Sequence, residues 1–107
     1  ITNYLVMKQV AEIPSSFKDT ADIFIALGDE HRQLILLAFE KGEKLNILQI
    51  VSTTTLSRTA VTHHLKVLHR AGVLKSEKVG KEVFFWINSP MVANALQQVL
   101  NYIQNET

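Results

Sequence analysis

Cysteine is absent from the 107 residues. That one absence excludes disulfides, thiolate metal sites, thiol redox sensing and a cysteine nucleophile. Long apolar runs are missing too, since none approaches the roughly 20 residues that a membrane-spanning helix needs. Residues 1–13 interleave Lys8, Gln9 and Glu12 with apolar side chains, which does not resemble a cleavable signal. We expect a cytoplasmic protein with no membrane partner. The chain begins at Ile1 rather than at a methionine, and we expect native residues ahead of it. No glycine-rich phosphate loop and no paired carboxylates beside a histidine occur, so an enzyme is the weakest reading. The run Asp29-Glu30-His31 reads as a helix start, with Asp29 capping, Glu30 compensating the helix dipole and His31 exposed.

What is present is an ordinary globular composition, 47% hydrophobic and 20% charged, in a length that suits one domain. There is no internal repeat, low-complexity tract or linker. The few prolines and glycines act as punctuation. Apolar residues at rough helical spacing over residues 3–13 stop at Pro14. Ser15 or Ser16 can cap a second helix to about Leu27, with Phe17, Ala21, Phe24, Ile25 and Leu27 at helical spacing before Gly28. A third helix is expected over residues 30–41, with Leu34, Leu37 and Ala38 on one stripe. Ile35, Leu36 and Phe39 widen that stripe until the helix suits the middle of a small domain. A short helix over residues 46–52, with Ile47, Ile50 and Val51 buried, leads through residues 53–56 to a helix capped by Ser57 and stopped by Gly72. The period then changes to two. Two strands, at residues 74–79 and 82–87, read as a hairpin about Gly80-Lys81. Ser89 and Pro90 open a last helix, to about residue 105, with Val92, Leu96, Val99 and Ile103 on one stripe. The expected fold is mainly α with a small β-hairpin, in the order α-α-α-α-α-β-β-α, a winged helix-turn-helix.

The net charge of +1 is unremarkable; its distribution is informative. Residues 57–81 hold Arg58, Lys66, Arg70, Lys75, Lys78 and Lys81 against Glu77 alone, an excess of +5 that leaves −4 for the rest. A basic segment on an acidic body is the footprint of a phosphate-binding surface. On the helix after Ser57, Val61, Leu65, Leu68 and Gly72 fall in one arc at about 100° per residue. Thr59, Thr62, His63, Lys66 and Arg70 oppose them. A helix entering the major groove needs this division, apolar where it packs and hydrogen-bonding where it reads. Arg58, Thr59, Thr62 and His63 are candidates for base edges. Thr55, Ser57, Lys66 and Arg70 suit phosphates, and Lys78 and Lys81 can reach backbone or minor groove from the hairpin. Plainer readings apply to the neighbours. His64 borders the apolar stripe as a partly buried structural residue, His69 sits in water, and Phe84, Phe85 and Trp86 pack the core and wing. Residues 53–55 read as a simple turn.

The sequence resembles the ArsR/SmtB family of bacterial repressors over roughly residues 17–88. The resemblance is carried by Ala26-Leu27-Gly28-Asp29 with Arg32 and Ile35-Leu36, and by Leu56-Ser57-Arg58-Thr59-Ala60-Val61-Thr62-His63-His64-Leu65. Lys66-Val67-Leu68, Ala71-Gly72-Val73-Leu74 and the wing from Gly80-Lys81 to Ile87 continue it. It implies a homodimer paired through terminal helices that represses by occupying double-stranded DNA at an inverted repeat. On that reading residues 1–107 form one DNA-binding domain, with dimerising ends at 1–27 and 89–107, a helix-turn-helix at 46–71 and a wing at 73–88. The apolar termini support it independently. Tyr4, Leu5, Met7, Phe24, Leu100 and Ile103 exceed what so small a core needs, and a two-fold interface would cover the excess. Leu5, Phe24, Leu96, Val99, Leu100 and Ile103 are the expected dimer residues.

The departures concern metal. Where relatives carry a Cys-x-Cys pair, this chain has Asn46 and Leu48, neither a useful zinc or arsenite ligand. Where others ligate zinc from the last helix, it offers Asn94, Gln97, Gln98, Asn101, Gln104 and Asn105, with Glu106 alone acidic. No cofactor and no metal site is expected. Two alternatives stand beside the repressor. One is a metal-responsive repressor using His31, His63, His64 and His69, although His64 and His69 are five apart and poorly aligned on one helix face. The other is a winged-helix protein-interaction module without DNA binding, which the +5 segment argues against.

Overall fold

The computed structural model describes residues 10–107. After a 3₁₀ turn at Ser15–Phe17 come helix α1 (Lys18–Leu27), α2 (Glu30–Leu37), strand β1 (Leu45–Asn46), α3 (Ile47–Ser52), α4 (Arg58–Arg70), β2 (Leu74–Val79), β3 (Glu82–Ile87) and α5 (Ser89–Glu106). The mainly helical winged arrangement expected from the sequence is present, with four differences in its elements, the first being that Ser15 and Ser16 lie in the 3₁₀ turn and neither caps α1, whose N-cap is Phe17. Residues 10–13 are not helical, and the rest of the helix expected there lies outside the described residues. Helix α2 stops at Leu37 instead of Lys41. The wing is a three-stranded antiparallel sheet in the order β1-β3-β2, where a two-stranded hairpin was expected.

The third strand is two residues long, too short to leave a local alternation in sequence. It pairs Leu45 with Phe85 and Asn46 with Phe84, while β2 and β3 run in register from Leu74↔Ile87 to Val79↔Glu82. The hairpin turns on Gly80, whose φ of 62° is the left-handed geometry that a Gly-first two-residue turn requires.

Helix phase is where packing corrected periodicity. In α2 the buried residue is Ile35, with Phe39 just beyond the helix, whereas Leu34 and Leu37 are 52% and 80% exposed. The four consecutive apolar residues 34–37 cover a whole helical turn and carry no phase information, and contact with α4 selects the Ile35 side. In α1 the core positions are Thr20, Ile23 and Ala26, not Phe24 or Ile25. Thr20 is tolerated there because its hydroxyl donates to the Gln98 side chain of α5.

These side chains meet Ile50, Val61, Leu65, Leu68, Val73, Leu74, Phe85 and Ala95 in one core. Val61 and Leu68 are fully buried and Leu65 nearly so, which makes α4 the helix around which the domain is assembled. Burial of each such side chain is worth about 1.5–3 kcal/mol.

Both ends of α4 are fixed. Ser57 Oγ accepts from the Ala60 amide at 3.2 Å. At the other end Gly72 takes φ 87°, its amide bonds His69 O, and the Val73 amide bonds Leu68 O at 3.0 Å, a Schellman closure. Asn88 occupies the N-cap position of α5 without a side-chain capping bond, and Ser89 and Pro90 are its first helical residues.

Candidate nucleic-acid interface

The approach to α4 begins in α3, where Asn46 Oδ1 accepts from the Gln49 amide and Gln49 Oε1 accepts from the Asn46 amide, at 2.9 and 2.8 Å. This reciprocal cap satisfies two amides that a helix start otherwise leaves open. At the far end of α3 the hydroxyls of Thr53 and Thr54 donate to the carbonyls of Ile50 and Val51, at 2.7 and 3.3 Å. The Leu56 amide returns to Thr54 Oγ1 at 3.2 Å. Two of the three threonines are thus spent on the turn, and Thr55 is left exposed.

On α4 the exposed residues are Arg58, Thr59, His63, Lys66, His69 and Arg70. Thr62 is half-buried, and its hydroxyl donates to the Arg58 carbonyl at 2.8 Å, leaving its methyl and lone pairs for a partner. Ser57 has its oxygen committed to the helix cap and keeps its proton free to donate. His69 is not merely solvated. Its Nε2 lies 3.1 Å from Ser76 Oγ, which ties the end of α4 to β2 and sets the wing beside the helix. Lys78 and Lys81 are exposed further out, toward the hairpin turn.

The charges are available. Among the described residues Lys44–Glu77, at 3.3 Å, is the only ion pair, so Arg58, Lys66, Arg70, Lys75, Lys78 and Lys81 have no acidic partner. Glu77, the single acid of the basic segment, is countered from outside it. Lys44 also stacks 4.3 Å from the Trp86 ring centroid. Nothing in the sequence pattern singled out Lys44; the unforeseen β1–β3 pairing brings it to the wing. The pair is about half exposed and adds little stability, but it sets a positive charge beside Glu77.

Of the histidines, His64 is half-buried beside Arg32, as expected of a structural residue, and His31 is exposed. Among the described residues no three His, Asp or Glu side chains gather as a metal-binding group. No helix among them is long and apolar enough to cross a membrane.

A second surface lies on the opposite elements. Phe17 meets Tyr102 edge-on at 6.1 Å, and a groove of about 720 Å³ is lined by Val10, Ile13, Phe17, Phe24, Val99 and Tyr102. Along α5, Leu96, Leu100 and Ile103 are 48%, 46% and 55% exposed. Of the expected dimer residues, Phe24 and Val99 therefore line the groove, the other three continue along α5, and Leu5 lies outside the described residues.

Comparison with known proteins converges on one family. The model for the bacterial regulatory protein, arsR family, matches residues 29–76, from the cap of α2 into β2. The transcriptional repressor PagR of Bacillus anthracis is 32% identical over 89 residues, covering 83% of this chain and 88% of PagR. Its crystal structure superposes with a TM-score of 0.65 at 28% identity, over 78% of this chain and 95% of that one. An HTH-type transcriptional regulator of Methanocaldococcus jannaschii is 28% identical over 83 residues, covering 78% of this chain and 93% of its own length. An ArsR-like transcriptional regulator from Rhodococcus sp. RHA1 superposes with a TM-score of 0.74 at 26% identity, over 85% and 84% of the two chains. The family model, the identity with PagR and the superposed folds agree, and this chain belongs to the arsR family of bacterial regulatory proteins.

Proposed function

We propose that the chain is a sequence-specific DNA-binding transcriptional repressor that acts as a homodimer on an inverted-repeat operator. The observation that carries this reading is the division of α4, with Val61, Leu65 and Leu68 buried against Arg58, Thr59, His63, Lys66 and Arg70 exposed and free of acidic partners. Arg58 is suited to guanine, the threonines to base edges or a thymine methyl, and Lys66 and Arg70 to phosphates. Thr55 and Ser57 approach the backbone ahead of the helix, and Lys78 and Lys81 flank it from the wing. The repressor PagR supports the regulatory direction. The apolar groove and the α5 stripe support pairing of two chains, since a patch of that size on a small protein calls for a cover.

The test is fluorescence anisotropy with DNA from upstream of the protein's own gene, against a scrambled duplex, at two salt concentrations. Salt-sensitive binding that prefers the upstream duplex, at two chains per duplex, is the expected result. Absence of binding to either duplex at low salt would overturn it in favour of a protein-interaction domain.

A further inference from the structure

Arg32 and His64 make a contact that the DNA-facing residues do not use. The Asp29 carboxylate accepts from the Arg32 amide at 3.1 Å, which fixes the first turn of α2. The guanidinium then reaches back over the end of α1, where Nε donates to the Ala26 carbonyl and Nη2 to the Ile25 carbonyl. Both carbonyls lie in the last turn of α1, and that of Ile25 also accepts from the Gly28 amide at 3.2 Å. Nη1 points the other way, to Nδ1 of His64 in α4, at 3.4 Å. One planar fork therefore holds α1, α2 and α4 at once.

The last of these contacts depends on protonation. Guanidinium has donors only, so His64 can complete it only as a neutral imidazole with its proton on Nε2. An imidazolium there has no acceptor and faces a like charge. The surroundings of His64 are Asp29, Arg32 and His31 from α2 and His63 from its own helix, with ring centroids 5.8 Å from His31 and 5.6 Å from His63.

We propose that Arg32 is a positioning residue for the recognition helix, acting through neutral His64, and that protonation of His64 releases α4 and weakens DNA binding. The proposal rests on the DNA-binding reading above. Burial holds His64 below the ordinary value of 6.5; Arg32, His63 and His31 act in the same direction and Asp29 opposes them. The neutral, clamped form therefore persists into mildly acidic solution and gives way below it. The wild-type pH profile alone does not isolate the effect, so a side chain that does not titrate is needed at position 64.

His64→Asn isolates it, because the amide oxygen keeps an acceptor near the Nδ1 position and does not titrate. The chain is titrated by NMR from about pH 8 to about pH 5.5, and its affinity for the upstream duplex is measured in parallel for wild type and His64→Asn. The expected result is that amides of α4 and of residues 25–27 shift with the His64 titration in wild type and not in the variant. The wild type should lose roughly fivefold in affinity relative to His64→Asn across the range, and Arg32→Lys should show the weaker binding at every pH. Titration of His64 without movement of the α4 amides would overturn the proposal, as would matching affinity profiles for wild type and His64→Asn. Absence of DNA binding throughout would count against the repressor reading alone, and the NMR titration would still decide the clamp.

Discussion

Arg58 and Lys78 are both exposed cations, yet they stand on different supports and should fail differently. Arg58 opens α4, where a side chain reaches base edges, and Arg58→Ala should cost about tenfold or more on operator DNA and much less on random DNA. Lys78 stands on the wing, and Lys78→Ala should weaken both duplexes evenly and lower the salt slope by about one. Equal losses on the two duplexes for Arg58→Ala, read by anisotropy, would remove Arg58 from base reading. His64 makes a prediction about stability. Burial lowers its pKa in the folded chain, so the neutral form contributes stability that is complete above 6.5 and is lost as pH falls from 6.5 through the folded-state value. Urea midpoints should therefore fall between about pH 7.5 and about pH 5.5 in wild type, and fall less in His64→Asn.

At the scale of elements, α4 depends on its ends. Ser57→Ala removes the oxygen that holds the Ala60 amide and should cost about 1 kcal/mol in urea unfolding. Gly72→Ala should cost more, on the order of 1–3 kcal/mol, because φ 87° is strained for alanine. Its Cβ would also fall 2.7 Å from Met91 Sδ. Pairing it with Met91→Ala should recover the steric part and leave the backbone part. These same punctuation residues made much of the fold legible. Ser57, Gly72 and Gly80 fix boundaries through local chemistry, and the limits of α4, β2 and β3 follow to within a residue. What local chemistry does not encode was lost. A two-residue β1 has no period, Ala38 and Phe39 keep helical spacing after α2 has ended, and Leu34 reads as inward because the apolar run 34–37 covers a whole turn. The exposed face of α4 was legible because its residues recur with the period of one helix. Lys44 and the Arg32–His64 contact were not, because each joins residues more than thirty positions apart.

Over the whole molecule two surfaces differ in chemistry, and the difference separates two measurements. The surface of α4 and the wing is cationic, so DNA affinity should fall steeply as salt rises. Helix α5 carries Glu106 as its only formal charge, and its outward residues are Leu96, Leu100 and Ile103 among amides. Self-association through it should change little over the same salt range in sedimentation. Leu100→Glu should give monomers that keep their helical circular dichroism, since Leu100 is not part of the core of one chain. One joint between the two surfaces lies at the end of α4. Gly72 ends α4, its carbonyl accepts from the Asn88 side chain at 3.2 Å, and Asn88 begins α5. Whatever angle that joint imposes is doubled by the two-fold axis of the proposed dimer. In that dimer the joint would act as a ruler, setting the centre-to-centre distance between two reading heads and with it the number of base pairs between the half-sites of the proposed operator.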